Sequence, residues 1–115
     1  MEIRAAGAGG ALRVGEAESF TVADRGLGRV ALRAGGGFVS VNGEGEVALR
    51  RGRAGEAETF QWIETYTGEL TLMSLATHRY VRVEAGTGRV RADSPGPQPD
   101  GGDGVRFRWV MLTRR

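Results

Sequence analysis

Hydrophobic residues alternate with polar or small residues in many short segments of the chain, for example at Val47 and Leu49 and again at Phe60 and Trp62. A period of two places every second side chain on the same face of a β-strand. Glycines and polar turn residues separate these segments at short intervals, and no window has a convincing helical period. The pattern therefore predicts an all-β chain.

The strand pattern repeats along the chain. Residues 15–20 read GEAESF and residues 55–60 read GEAETF, an offset of 55 − 15 = 40. Residues 28–41 match residues 68–83, where two extra turn residues raise the offset from 68 − 28 = 40 to 80 − 38 = 42. Each full unit holds four predicted strands. A propeller needs about four to eight such units, and fewer than three fit here, so the pattern predicts a β-trefoil.

The first unit is shorter than the other two. The shared GEAE motif sets its closing strand at residues 19–23, and residues 3–5 and 11–14 align with residues 32–34 and 38–41. Losing a strand of the barrel would open an unpaired sheet edge, so we expect the missing strand to come from the cap. The prediction is a single domain over residues 1–115 with about eleven strands, an abbreviated first repeat and a thinned cap beside residues 14–18. The repeats run at about residues 2–25, 26–66 and 67–112.

The strand signatures resemble a known family. Residues 28–34 read G-x-V-x-L-R-A, residues 38–41 give an aromatic-V-x-V strand, and residues 58–62 give E-x-F-x-W. This combination resembles the fascin-like β-trefoil family and, more distantly, ricin-type and arabinofuranosidase-appended trefoil domains. The resemblance implies a non-catalytic binding domain. Eukaryotic fascins join several such trefoils to bundle actin filaments, while bacterial relatives are often appended to glycoside hydrolases.

The composition excludes several classes of function. The chain of 115 residues has no cysteine, which removes disulfides, thiol catalysis and thiolate metal sites. All sixteen basic residues are arginine, a bias typical of a bacterial genome rich in G and C, and the net charge is only +2. The one internal basic cluster, at Arg50, Arg51 and Arg53, is bracketed by glutamates, which disfavours nucleic acid as a partner.

No segment predicts contact with a membrane. No apolar run approaches the roughly 18 residues of a spanning helix, and the first residues lack the apolar core of a secretory signal. We therefore expect a cytoplasmic protein, or a secreted one if a signal peptide has been removed.

No constellation of residues predicts catalysis. His78 is the only histidine and cannot form a histidine-rich metal site, and Ser74 and Asp93 do not complete a recognisable triad with it. No two carboxylates stand out as a glycosidase pair. Four glutamates recur with the repeat, which predicts hydrogen bonding within turns: Glu16, Glu18, Glu56 and Glu58. The sequence thus predicts no enzyme, no metal and no cofactor.

Two further features have structural interpretations. Phe20, Phe60 and Phe107 occupy the same place in each unit, and Trp62 and Trp109 follow two positions later, which predicts barrel core rather than a platform for stacking sugar rings. Residues 94–104 hold all three prolines and predict a mobile surface loop. Asp100 and Asp103 in that loop lack the spacing of an EF-hand calcium site.

The candidate ligand site lies in the cap hairpins of the second and third units. His78 and Arg79 fall in the two-residue insertion before Tyr80, where a hairpin pocket is expected to open, and Asn42 and Glu44 hold a comparable place one unit earlier. For a binding module of the kind that the resemblance implies, carbohydrate is the first ligand class that we expect at these residues. The alternative is a protein-interaction or actin-crosslinking-like scaffold, which could form a homodimer through the thinned cap.

Overall fold

The computed structural model describes residues 1–97 and 104–112, which form eleven β-strands and one short 3₁₀ turn at Glu56–Glu58. The described residues contain no α-helix. The all-β prediction and the expected strand number are therefore confirmed. The strands are β1 (Glu2–Gly7), β2 (Gly10–Ala11), β3 (Phe20–Gly26), β4 (Arg29–Ala34), β5 (Gly37–Val41), β6 (Val47–Arg50), β7 (Phe60–Glu64), β8 (Leu70–Ser74), β9 (Tyr80–Val83), β10 (Val90–Ser94) and β11 (Phe107–Leu112).

Two of the sequence predictions concern the chain outside these strands. The predicted surface loop over residues 94–104 falls in part outside the described residues, and Asp100 and Asp103 are among those not described. Within the described residues, no helix is long and apolar enough to cross a membrane.

Six strands close into a barrel. Antiparallel pairing runs from β1 to β3, β4, β7, β8 and β11, and β11 pairs with β1 again. Closure leaves no unpaired edge in the barrel. The other strands extend barrel strands as hairpins, with β2 beside β1, β5 and β6 beside β4, and β9 and β10 beside β8. This is the β-trefoil arrangement, to which the three units contribute three, four and four strands.

Phenylalanines fill the centre of the barrel. Phe20, Phe60 and Phe107 each open the closing strand of a unit, and all three are 0% exposed. Full burial of such a side chain contributes roughly 1.5–3 kcal/mol. The prediction of a phenylalanine core is confirmed. Each phenylalanine lies opposite a buried aliphatic residue of the neighbouring barrel strand: Ile3, Val30 and Leu70.

The prediction of barrel core is wrong in part for the two tryptophans. Trp62 and Trp109 are half-buried and meet edge to face, with ring centroids 5.2 Å apart and planes at 84°. The indole N–H of Trp62 donates to Glu64 Oε1 at 3.0 Å. Period two correctly places each ring on the same strand face as the phenylalanine two residues before it, Phe60 or Phe107. One step further along the strand, however, the rings cover the core instead of filling it.

The first unit lacks its third strand. β2 leads to an isolated bridge between Val14 and Ala17, and β3 follows with no strand between, all within described residues. The second unit has β6 and its flanking turns at this place. The prediction that the deletion falls in the cap is therefore confirmed.

The predicted alignment of the first strand is wrong by two residues. Ile3 lies opposite Phe20 just as Val30 lies opposite Phe60, so Ile3 corresponds to Val30 and the offset is 30 − 3 = 27. The similar letters of residues 3–5 and 32–34 suggested Leu32 instead. The two hairpins set the true register, because both use two-residue turns and the same offset of 27 relates Gly10 to Gly37. Since the offset is 40 from Gly15 onward, 40 − 27 = 13 residues are missing, the counterpart of residues 42–54.

Candidate functional site

Two cap turns hold the residues predicted to bind a ligand. Both turns reach Ala92 of β10, whose N–H donates to the carbonyl of Gly45 at 2.8 Å and whose carbonyl accepts from Thr77 Oγ1 at 2.9 Å. The structure therefore brings the two predicted turns together at one residue. The β5–β6 turn contains Asn42 and Glu44, and the segment from β8 to the start of β9 contains His78, Arg79 and Tyr80.

The side chain of Asn42 closes its own turn. Its Oδ1 accepts from the N–H groups of Glu44 and Glu46 at 3.0 and 2.9 Å, and its Nδ2 donates to Glu46 Oε1 at 2.9 Å. Asparagine commonly forms such bonds to its own backbone in turns. The carbonyl of Glu44 accepts from Arg91 Nη2 at 2.8 Å, which fastens the turn to β10. Asn42 and the backbone of Glu44 thus hold the cap together.

His78 is exposed in its turn at a φ of 57°, and it lines a surface groove of about 480 Å³. Arg79 is exposed and Tyr80 half-buried, and neither lines this groove, nor do Asn42 and Glu44. We call the groove that His78 lines the histidine groove. Six of its residues supply side chains: Arg25, Arg29, Glu56, Thr59, Leu75 and His78.

Two guanidinium groups are anchored in the histidine groove. Arg25 Nη2 donates to the carbonyl of Ala54 at 2.9 Å, and Arg29 Nε donates to Gln61 Oε1 at 3.4 Å. A guanidinium has five N–H donors, so each group keeps donors that these contacts do not use. The sequence did not indicate these two arginines, because they lie at the end of β3 and the start of β4, far along the chain from His78.

A larger groove of about 920 Å³ lies beside the abbreviated first repeat, where the counterpart of residues 42–54 is missing. It is the thinned cap predicted beside residues 14–18. We call it the first-repeat notch. Its walls come from residues 16–19, the β4–β5 hairpin and β6, and its principal side chains are Glu16, Glu18, Ser19, Arg33, Phe38 and Leu49.

The recurring glutamates do not share one role. Glu58 Oε1 accepts from the N–H of Gly55 at 2.8 Å, and its Oε2 accepts from Ser40 Oγ, so the predicted turn hydrogen bonding holds for this residue. Glu18, its counterpart in the first unit, is exposed to the first-repeat notch. No hydrogen bond or ion pair with another described residue reaches Glu18, so the prediction is wrong there.

An ionic cluster lies on the β9–β10 hairpin. Asp93 accepts from Arg82 Nε at 2.6 Å and from Arg91 Nε at 3.0 Å. The hydrogen bond from Arg82 lowers the pKa of Asp93 and raises that of Arg82 itself. Ser74 is buried and its hydroxyl accepts from the N–H of Ala76. Asp93 and Ser74 thus both have structural partners within the fold. Among the described residues, no three histidine or carboxylate side chains cluster closely enough to hold a metal ion.

The closed barrel with its hairpin caps defines the class of this chain as a β-trefoil. It is similar to the crystal structure of the designed 3-fold symmetric protein ThreeFoil, with a TM-score of 0.81 and 19% sequence identity. The similarity covers 96% of this chain and 99% of that one. At this identity the likeness shows the fold alone. No family model and no curated protein matches the sequence.

Proposed function

We propose that this β-trefoil is a non-catalytic binding module that binds carbohydrate in the histidine groove. The observation that supports the proposal is the set of planar hydrogen-bonding groups at this one surface: the guanidinium groups of Arg25 and Arg29, the imidazole of His78 and the carboxylate of Glu56. Such groups match the hydroxyls of a sugar ring. A site of this kind fixes its ligand by a few polar groups against an apolar surface, and Leu75 supplies that surface.

The charge of the groove favours an acidic saccharide. Two guanidinium groups and one carboxylate line the groove, so it has an excess of positive charge. Arginine pairs with carboxylates through two parallel hydrogen bonds, which makes it well suited to a sugar that carries a carboxyl group. We therefore expect uronate-containing oligosaccharides to bind better than neutral ones.

Calorimetric titration tests this proposal. We expect a uronate oligosaccharide to bind, and Arg29→Gln and His78→Ala each to weaken binding about tenfold, equivalent to about 1.4 kcal/mol. The matched control is Arg53→Gln, which removes an exposed arginine outside the groove and should leave affinity unchanged. Tyr80→Ala tests the site predicted from the sequence. If Tyr80→Ala abolishes binding while Arg29→Gln and His78→Ala do not, the ligand binds along β9 and the histidine groove is the wrong site.

A second candidate function is protein interaction, the actin-crosslinking-like role implied by the resemblance to fascin-like trefoils. The first-repeat notch favours it, because the notch is a large open groove with both apolar and charged walls. Crosslinking needs at least two filament sites, so a single trefoil would have to dimerise. Sedimentation equilibrium of the chain alone measures whether it dimerises, and sedimentation together with actin filaments measures whether it binds them. A monomer that does not pellet with actin filaments contradicts crosslinking but leaves other protein partners open.

A further inference from the structure

The outer edge of β6 carries backbone groups that point away from its partner strand. The N–H of Asn42 donates to the carbonyl of Glu46 at 3.0 Å, which makes these two residues a hydrogen-bonded pair. Such pairs alternate along an antiparallel ladder with pairs that are not bonded to each other. The register therefore makes Val39 and Leu49 a non-bonded pair, and the N–H and C=O of Leu49 point away from β5. The same alternation applies to Val47, but its outward side meets β10 at the isolated bridge between Glu46 and Arg91. The edge available to a partner therefore begins at Leu49.

The third unit shows how such an edge is normally used. Ala92 is the counterpart of Leu49, since each is the third residue of the third strand in its unit and lies opposite Val81 or Val39. The outward N–H of Ala92 donates to Gly45 in the turn of the preceding unit. The first unit has no such turn to offer Leu49. Among the described residues, no backbone hydrogen bond from outside the β5–β6 ladder reaches Leu49.

The first-repeat notch reaches this edge at Leu49 and has both apolar and charged walls, in which three carboxylates outnumber the one guanidinium group: Glu2, Glu16 and Glu18 against Arg33. Phe38 and Leu49 line the notch and are half-buried, and Glu16 and Glu18 also line it and are exposed. No hydrogen bond or ion pair with another described residue reaches either of these carboxylates. Carboxylates in this position attract guanidinium and ammonium groups of a partner.

We propose that the first-repeat notch binds an extended peptide segment of a partner protein, in which apolar residues at every second position are followed by basic residues. The segment adds as a strand to the outer edge of β6, where its backbone pairs with Leu49. Strand addition derives affinity from main-chain hydrogen bonds and specificity from the alternate side chains. Apolar side chains contact Phe38 and Leu49, and basic side chains reach Glu16 and Glu18. This interaction is separate from carbohydrate binding in the histidine groove.

The chain itself provides a probe of this chemistry. Residues 42–54 read NGEGEVALRRGRA, and they are the counterpart of the segment that the first unit lacks. The synthetic peptide of this sequence combines a short apolar strand with three arginines. We expect it to bind the full chain saturably in calorimetric titration, whereas a peptide of the same composition in scrambled order does not bind.

Matched variants test the acidic wall. The double variant Glu16→Gln and Glu18→Gln should weaken binding of the peptide about five- to tenfold, because both carboxylates lose their charge. Glu56→Gln is the control, since Glu56 is the counterpart of Glu16 in the second unit and lines the histidine groove instead. It should leave the affinity for the peptide unchanged, as should His78→Ala. Equal affinity of the double variant and the unmutated chain would overturn the assignment of a basic partner.

Amide hydrogen exchange tests strand addition directly. Saturation with the peptide should slow exchange of the Leu49 amide at least about tenfold, while the Ala92 amide, already bonded to Gly45, should not change. Absence of binding overturns the proposal, and so does binding that leaves the Leu49 amide unprotected. If that amide is protected without peptide in a sample that sediments as a dimer, a second copy occupies the edge and the proposed partner is wrong. None of these results depends on whether the histidine groove binds sugar.

Discussion

The GEAESF motif at residues 15–20 and the GEAETF motif at residues 55–60 differ in one letter but begin with different backbone structures. In the second unit, Glu56–Glu58 form a 3₁₀ turn, and the side chain of Glu58 accepts from the N–H of Gly55. In the first unit, Val14 and Ala17 instead exchange two backbone hydrogen bonds of 3.0 Å across a tight turn. The two motifs converge only at the phenylalanine, which is fully buried in both.

The connection that precedes each motif accounts for the difference. Residues 42–54 carry the second unit through β6 before Gly55, whereas Gly15 directly follows Val14, so the first unit must reverse direction at once. Gly15 has a φ of +60°, a conformation that glycine adopts without steric cost. The serine that binds Glu58, Ser40, has Arg13 as its counterpart at the offset of 27, so the first unit also lacks this donor. Equal local sequence thus gives unequal structure where the neighbouring segment differs.

The largest expected effect concerns the buried phenylalanine that ends both motifs. Phe20→Ala and Phe60→Ala should each lower the free energy of unfolding by about 3–5 kcal/mol, because both side chains are 0% exposed in the same barrel core. Urea denaturation of the two variants measures this. Trp62→Ala should cost less, since its ring is only half-buried. A much smaller loss for Phe20→Ala than for Phe60→Ala would show that the first unit does not support the core as the second does.

The second-largest expected effect concerns the contact between the β5–β6 turn of the second unit and Ala92 of the third unit, which the shorter first unit cannot make. Gly45 has a φ of +82°, and a Cβ added there would lie 3.0 Å from the carbonyl oxygen of Ala92. Gly45→Ala should therefore cost at least about 1–2 kcal/mol from the backbone conformation alone. Gly43→Ala is the matched control, because it lies in the same turn with no atom within 4 Å of the added Cβ. Equal melting temperatures for the two variants would mean that the β5–β6 turn does not need to approach β10.

A smaller effect on stability distinguishes Glu58 from its counterpart Glu18. Glu58→Ala removes the acceptor for the Gly55 N–H and for Ser40 Oγ, and should cost about 1 kcal/mol, as for loss of a typical cap. Glu18→Ala should change stability by less than about 0.5 kcal/mol, because that side chain has no such contact. Thermal unfolding of both variants compares them directly. Equal losses would contradict the different roles assigned to the two residues.

The sequence predicts the barrel better than it predicts the surface. Period-two alternation and the 40-residue offset correctly predict the barrel, its phenylalanines and the missing cap strand. Alternation shows which face a residue takes but not its depth, so the tryptophans are placed too far inside. The site depends on residues distant in sequence. His78 is identifiable because it is unique and lies in an insertion, but Arg25 and Arg29 reach the same groove from the adjoining ends of β3 and β4. The repeat itself suggests one role for Glu18 and Glu58, although their contacts differ.

The smallest expected effect concerns how the second and third units are fastened together. Asp93 holds Arg82 and Arg91, and Arg91 also donates to the carbonyl of Glu44, a contact with no counterpart at the first-repeat notch. Asp93→Asn should cost about 0.5–1 kcal/mol at pH 7, because a third of the Asp93 side chain is exposed and water screens the pair.

The pH dependence of this loss follows from the lowered pKa of Asp93, caused mainly by the hydrogen bond from Arg82. A carboxylate whose pKa falls on folding stabilises the folded state fully above its unfolded pKa of about 3.9, and the stabilisation disappears as the pH falls through the folded value. The melting temperatures of the unmutated chain and of Asp93→Asn should therefore differ by a constant amount between pH 5 and 7 and converge below about pH 4. A difference that persists unchanged at pH 2 would show that Asp93 acts through packing and not through its charge.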